Sequence, residues 1–158
     1  MKILLLMLVL GTAAIAFAAN AAHNRVGTWQ LDVAASDFGK GPAPTSMTMT
    51  ILEDTLEKIG FRLKRTNRDG SQFSYEWHGP KDGSPQLIQS PELPNAKAVS
   101  GVKEIRGILI EHGIDPDGSL EFSRISTSPD GQAMQVDATW IEFDGTRATQ
   151  KWIWRRVK

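Results

Sequence analysis

Hydrophobic and polar residues alternate along much of the chain after residue 25. The segments 47–51 (MTMTI), 59–64 (IGFRLK), 73–78 (FSYEWH) and 134–140 (MQVDATW) place an apolar side chain at every second position. Successive side chains of a β-strand point to opposite faces, so this period predicts strands with one buried and one solvated face. No later segment has a convincing helical period. The pattern predicts an all-β protein.

Turn signals separate these strands. Asp-Gly pairs occur at 69–70, 82–83, 117–118, 130–131 and 144–145. Asp-Gly readily supplies the positive φ that tight hairpins require. The later pairs are separated by segments of about ten residues, which is typical of a β-meander.

The two signals together predict nine strands. They span 26–33, 45–53, 56–66, 71–78, 97–105, 107–114, 119–127, 133–142 and 146–156. Sequential hairpins of this length favour an up-and-down antiparallel β-barrel of eight or nine strands, which closes on itself and so removes exposed edges. An open sandwich is the alternative.

One long connection interrupts the regular succession of strands and short turns. Residues 79–101 hold four of the eight prolines, and a loop of this length is usually a functional lid or locally disordered. Leu87 and Ile88 within it could cover the barrel opening or form a short edge strand.

The N-terminus has the layout of a signal peptide. Lys2 is followed by an apolar run at 3–10 (ILLLMLVL) and by a small-residue stretch at 11–22 with A-x-A cleavage patterns. We therefore expect a cleavable signal peptide over 1–21, a mature β-barrel domain over 22–158, and a periplasmic or secreted protein. The apolar run is shorter than the roughly 20 residues of a membrane-spanning helix.

The amino-acid composition limits which kinds of site and partner the protein can have. The chain has no cysteine, which excludes disulfides and thiolate metal sites. Its 18 basic and 18 acidic residues balance, so nothing predicts attraction to nucleic acid, and we expect no stable membrane insertion. The basic, aromatic C-terminal segment 147–158 (RATQKWIWRRVK) is better explained as a strand with a solvated cationic face than as a nucleic-acid site.

The first predicted strand carries a recognisable motif. The chain reads VGTWQLD at 26–32, SDF at 36–38 and GPAP at 41–44. The G-x-W resembles the opening motif of lipocalins, and fatty-acid-binding proteins begin similarly. The whole stretch resembles small secreted bacterial proteins described as lipocalin-like. The resemblance implies an eight-stranded up-and-down barrel that binds a small apolar molecule in its interior.

Trp29 is expected to stabilise the fold by plugging the closed end of such a barrel, where it would bury up to about 250 Å². In lipocalins an arginine of the last strand packs across this tryptophan. Arg155 and Arg156 both lie at the end of the last predicted strand, and the sequence does not choose between them.

Aromatic residues on the apolar faces are the candidates for ligand contacts. An eight-stranded barrel is just wide enough to hold one small ligand or to fill with side chains, so the alternative is that these rings only pack the core. The candidates are Phe61, Phe73, Tyr75, Trp77, Phe122, Trp140 and Trp152, together with the cation Arg124.

Arg124 shares its predicted inward face with Phe122. A buried arginine needs a carboxylate or several acceptors. It could anchor the acidic head of a ligand, pair with Glu53 or Glu142, or lie exposed near a strand end.

Catalytic and metal motifs are not evident. The histidines, His23, His78 and His112, are far apart and have no metal-ligand spacing, and no G-x-S-x-G is present. We therefore expect no enzyme activity, no metal and no cofactor. A pair of carboxylates converging at the barrel mouth is the one catalytic arrangement that the sequence leaves open.

These observations predict a monomeric, exported, lipocalin-like carrier whose partner is a small hydrophobic molecule. The alternative is a β module with a filled core that binds another protein or the cell envelope. Interior volume separates them, because a solid interior with less than about 300 Å³ of free space would favour the interaction module.

Overall fold

The computed structural model describes residues 25–92, 98–115 and 118–157. The expected signal peptide at 1–21 lies outside this part of the chain. Within it the protein is all β, with ten strands and no helix. The strands are β1 Gly27–Leu31, β2 Ser46–Asp54, β3 Lys58–Thr66, β4 Gln72–Pro80, β5 Gln86–Leu87, β6 Val99–Ile105, β7 Ile108–Ile114, β8 Leu120–Thr127, β9 Ala133–Ile141 and β10 Arg147–Arg156.

The strands form one antiparallel sheet in the order β4-β3-β2-β1-β10-β9-β8-β7-β6-β5. Consecutive strands pair with each other except β4 and β5, which lie at the two ends of this order, and β1 also pairs with β10. The predicted up-and-down barrel is confirmed. The difference in strand number comes from β5, a two-residue strand inside the long connection that pairs with β6.

The sheet curls until its two ends meet. Glu76 of β4 and Gln89, just after β5, exchange backbone hydrogen bonds of 2.7 and 2.9 Å. The indole N–H of Trp77 donates to the backbone carbonyl of Ser100 on β6 at 2.9 Å. This seam between β4 and the β5–β6 edge closes the barrel with few backbone bonds.

The aspartate-glycine pairs at 69–70, 130–131 and 144–145 form the hairpin turns that the sequence predicts. The pair at 82–83 instead lies after β4, where Asp82 is bridged to Lys103 of β6. The glycine of each pair has a φ between 68° and 94°, a region that L side chains rarely adopt. The aspartates contribute as well: Asp144, for example, accepts the N–H of Thr146 at 2.8 Å. Hydrogen bonds from Thr146 to its carboxylate hold the pKa of Asp144 below its usual value.

One end of the barrel, the base, is filled by the apolar core. Trp29 is completely buried there beside Ile51, Met134 and Trp154. The guanidinium carbon of Arg156 lies 4.3 Å from the centroid of the Trp29 ring, so Arg156 is the arginine that packs across this tryptophan.

Arg155 instead forms an exposed ion pair with Asp32 at 3.4 Å.

A buried ionic cluster seals the base below this core. Arg25, only 1% exposed, pairs with Asp54 at 3.1 Å and donates to the carbonyl of Gly107 at 2.8 Å. Lys81 contacts Asp54 and also Glu104, the latter at 2.7 Å. We call Arg25, Asp54, Lys81 and Glu104 the base cluster.

The base cluster is tied to the core through Arg25. The indole N–H of Trp29 donates to the carbonyl of Arg25 at 2.8 Å. This bond holds the segment before β1 against the buried tryptophan.

No helix within the described ranges is long and apolar enough to cross a membrane.

Candidate ligand-binding cavity

Above the core, the barrel interior contains a cavity of about 530 Å³. This volume lies within the usual range for small-molecule pockets, about 300–1,000 Å³. Apolar side chains on the inward faces of the strands form most of its wall, among them Met47, Met49, Leu63, Ile125 and Val136.

Five of the eight predicted candidates line this cavity. The edge of the Phe61 ring meets Tyr75, with 6.0 Å between the ring centroids, and Trp140 lies 5.6 Å from Trp152. The fifth is Phe73, 5.8 Å from Tyr75. The period-two pattern had placed all five on inward faces, where the structure also has them. That they contact a ligand stays a prediction.

Trp77 lies behind the cavity wall instead of on it. The side chain is buried, its ring centroid is 5.8 Å from that of Phe61, and its indole N–H is used at the seam with Ser100. Trp77 therefore helps to join the two edges of the sheet that close the barrel.

The inward placement of Phe122 and Arg124 was wrong. Phe122 is 48% exposed on the outer surface, and the Arg124 side chain is 51% exposed and pairs with Asp137 at 3.6 Å. It pairs with neither Glu53 nor Glu142 in the described part of the chain. Side chains along a strand point alternately to the two faces of the sheet. Taking the wrong alternate positions of β8 as inward therefore placed all of its side chains on the opposite face.

The inward positions of β8 are Glu121, Ser123 and Ile125, and those of the paired strand β7 include Glu111. The Ser123 hydroxyl donates to the carboxylate of Glu121 at 2.7 Å. The hydroxyl of Ser100 donates to Glu111 at 2.8 Å. Four carboxyl groups therefore line a mostly apolar cavity: Glu111 and Glu121, Asp115 just after β7, and Glu142 just after β9.

Burial and mutual repulsion change the titration of Glu111 and Glu121. Loss of hydration first, then the charge of Glu111, raises the pKa of Glu121 to about 8. Burial also raises the pKa of Glu111, with Asp115 adding to the effect. The phenol of Tyr75 has a pKa raised well above its usual value by burial and by these same acids.

Two cations also line the cavity, and both are engaged elsewhere. Arg25 belongs to the base cluster. Arg65 donates to the side chain of Asn67 at 2.7 Å and to the carbonyl of Pro42 at 3.5 Å.

Sequence reasoning missed Glu111 and Glu121. In residues 108–114 (ILIEHGI) apolar side chains occupy both parities, and in 119–125 (SLEFSRI) the apolar residues Leu120 and Phe122 suggest the wrong face. Only the pairing of β8 with β7 and with β9 shows which side chains point inward.

The residues that line the part of the cavity described here include no histidine. His78 is half-exposed and hydrogen-bonds to Glu76 at 2.8 Å, while His112 lies on the face of β7 opposite to Glu111. Within the described ranges no three histidine, aspartate or glutamate side chains come together as a metal site. The absence of enzyme activity stays a prediction.

The sequence matches no protein-family model and no curated protein. Solved structures with a similar fold exist. One variant of the fluorescent protein UnaG superposes with a TM-score of 0.57 and 16% identity, over 84% of this chain and 96% of that chain. A second UnaG variant gives a TM-score of 0.55 and 17% identity, over 84% and 95% of the two chains.

A redesigned β-barrel is similar as well, with a TM-score of 0.53, 13% identity, and coverage of 87% of this chain and 96% of that chain. At such low identity these likenesses show a shared β-barrel fold.

The arrangement suits non-covalent binding. Flexible methionine side chains and paired aromatic rings can adapt to an apolar guest, and a few polar groups can orient it.

Proposed function

We propose that this protein is an exported, lipocalin-like carrier that binds a small hydrophobic molecule inside the barrel. The observation that carries the proposal is the cavity of about 530 Å³ enclosed by Phe61, Tyr75, Trp140 and Trp152. A filled core would leave less than about 300 Å³, so the hollow interior favours a carrier over the filled-core interaction module.

The physical basis of binding is the transfer of apolar ligand surface out of water. Such burial contributes about 25 cal/mol per Å² before the costs of association are subtracted. The aromatic walls are already packed against one another, which limits the ordering needed when a guest enters.

Export is supported by the N-terminal pattern alone. The layout of residues 1–21 predicts removal of a signal peptide and release into the periplasm or the medium. We further propose that the carrier acts as a monomer and has no nucleic-acid partner.

The test is a fluorescence titration of the purified mature protein with N-phenyl-1-naphthylamine, a neutral apolar dye. Trp140→Glu places a charge on the cavity wall and should weaken dye binding by about tenfold or more, a change of about 1.4 kcal/mol. Phe122→Glu makes the same kind of change on the outer face of the barrel and should leave the affinity unchanged.

Circular dichroism must show that both variants keep the β-barrel. Non-saturable dye binding by the wild type would rule out the carrier, and so would equal loss of affinity in the two folded variants. Native mass spectrometry of protein purified from its host should detect a copurifying apolar compound.

A further inference from the structure

The acids of the cavity are the feature that apolar binding leaves unexplained. Glu111 lies opposite Ser123 on the paired strand, and Glu121 lies opposite Gly113. The two glutamates are therefore diagonal neighbours on one face, about 7–8 Å apart at the backbone. Asp115, at the end of β7, lines the same region of the cavity.

Placing carboxyl groups in an apolar cavity is unfavourable unless something compensates for the lost hydration. The serine hydroxyls of Ser100 and Ser123 supply one hydrogen bond to each glutamate. Neither glutamate forms an ion pair with a lysine, arginine or histidine in the described ranges. The two cations that line the cavity, Arg25 and Arg65, have their printed partners elsewhere and form no ion pair with either glutamate.

One other polar group of the cavity lacks a hydrogen-bond partner among the described residues. Trp154 lines the cavity near the base and is 1% exposed, yet its indole N–H has no hydrogen-bond partner among the described residues. A buried donor without an acceptor costs about 1–3 kcal/mol. An occupant carrying an acceptor at this end would remove the cost.

Tyr75 points to the same end of the cavity as the acids. Its phenol lines the wall, and the charges of Glu111, Glu121 and Asp115 all act on it. Because the phenol stays neutral, its oxygen can accept a hydrogen bond from a donor placed between these groups.

We infer that the cavity selects hydrophobic amines: the apolar body contacts the aromatic wall, and the protonated amine lies between Glu111, Glu121 and Tyr75. The inference rests on the proposed function, because it names the ligand class of the same cavity. The carboxylate of a fatty acid would instead lie beside two acids whose ionisation it disfavours.

Three ligands with the same ten-carbon chain test the selectivity: decylamine, decanol and decanoate. Each competes with N-phenyl-1-naphthylamine for the wild-type mature protein near pH 8. Decylamine should displace the dye at a concentration at least about tenfold below that needed for decanoate, with decanol between them.

Variants assign the preference to the two acids. Glu121→Gln and Glu111→Gln should each reduce the preference for decylamine over decanoate severalfold and leave decanol binding unchanged. Glu53→Gln is the matched control, because Glu53 is exposed on β2 away from the cavity. If neither cavity variant changes the ratio, the glutamates do not select the amine.

The pH dependence in the wild type provides a second readout that needs no variant. Binding of the cation requires an ionised carboxylate, so decylamine affinity should rise between about pH 6 and about pH 8 while decanol affinity stays constant. Glu111 and Asp115 both raise the pKa of Glu121. The other titratable or charged side chains that line the cavity are Tyr75, Glu142, Arg25 and Arg65.

The outcomes separate the two proposals. If none of the three ligands displaces the dye and the dye itself does not bind, the carrier function fails. If decanol or decanoate binds as tightly as decylamine, the carrier stands and the selection of amines is overturned.

Discussion

Glu121 shows what a single inward-facing residue does to this barrel. The carboxyl group accepts a hydrogen bond from Ser123 and otherwise faces aromatic rings and a second acid, Glu111. Its pKa of about 8 lies above the ordinary glutamate value of about 4.3. The folded protein therefore holds a proton that the unfolded chain releases.

The sign of the stability effect follows from this difference. Between about pH 5 and about pH 8 the folded state binds more protons at Glu121 than the unfolded state, so the free energy of unfolding falls as pH rises. Glu121→Gln should remove part of this fall. The variant should gain about 1–3 kcal/mol over the wild type at about pH 8 and almost nothing at about pH 5, in urea unfolding curves.

Glu76→Gln serves as the control, because the Glu76 carboxylate lies outside the cavity and its pKa is lowered by hydrogen bonds from His78 and Arg62. An unchanged pH profile in Glu121→Gln would show that this carboxyl is not buried as the structure has it.

At the scale of elements, the seam between β4 and β6 is the weak part of the barrel. Neighbouring strands in most of the sheet share long ladders, whereas this edge is closed by the Glu76–Gln89 bridge and the Trp77 indole. Beyond the end of β4, the Asp82–Lys103 bridge adds backbone hydrogen bonds to β6. The Trp77 indole is therefore one of few links between the middle of β4 and β6.

Trp77→Phe should loosen the seam selectively. The change keeps an aromatic ring but leaves the buried carbonyl of Ser100 without its donor, which should cost about 1–3 kcal/mol. Hydrogen exchange should accelerate at the amides of Glu76 and Gln89 more than in the ladder between β9 and β10. Trp152→Phe, which loses only a hydrogen bond to the Gln150 side chain, should have a smaller effect. Unchanged exchange at the seam would contradict this role for Trp77.

Across the fold, the base cluster links distant segments of the chain through buried ion pairs. Arg25, Lys81 and Asp54 come from three distant parts of the chain and are nearly inaccessible to solvent. The cluster joins the entry to β1, the end of β2 and the end of β4.

Asp54→Ala should be among the most destabilising single changes. It leaves two buried cations with only Glu104 as a carboxylate partner, and breaking a buried pair typically costs about 3–5 kcal/mol. Asp137→Ala removes the exposed partner of Arg124 and should cost less than about 1 kcal/mol. Equal midpoints in urea for the two variants would refute a structural role for the cluster.

The long connection shows how far local sequence reasoning reaches. Of the two apolar residues expected to cover the opening, Ile88 packs against the core and lines the cavity, whereas Leu87 is 63% exposed. The short strand β5 fixes this choice by pairing Leu87 with Val99. Residues 93–97 lie outside the described part of the chain, and a lid function stays a prediction.

The sequence by itself determined the strands, their turns and most of the apolar wall. Period-two alternation and Asp-Gly pairs are local signals, and strands such as β3 and β9 carry them clearly. The motif at residues 26–31 also placed Trp29 at the plug. These features follow from backbone geometry within a few residues, which is why they could be predicted.

The tertiary structure alone decided which side chains share the cavity. The inward parity of β8 depends on its pairing with β7 and β9, and the choice of Arg156 over Arg155 depends on β10 meeting β1. Glu111 and Glu121 look like solvated residues in the sequence. They become a buried pair only when the curled sheet encloses the face that carries them, because burial is a property of the closed barrel and not of the strand.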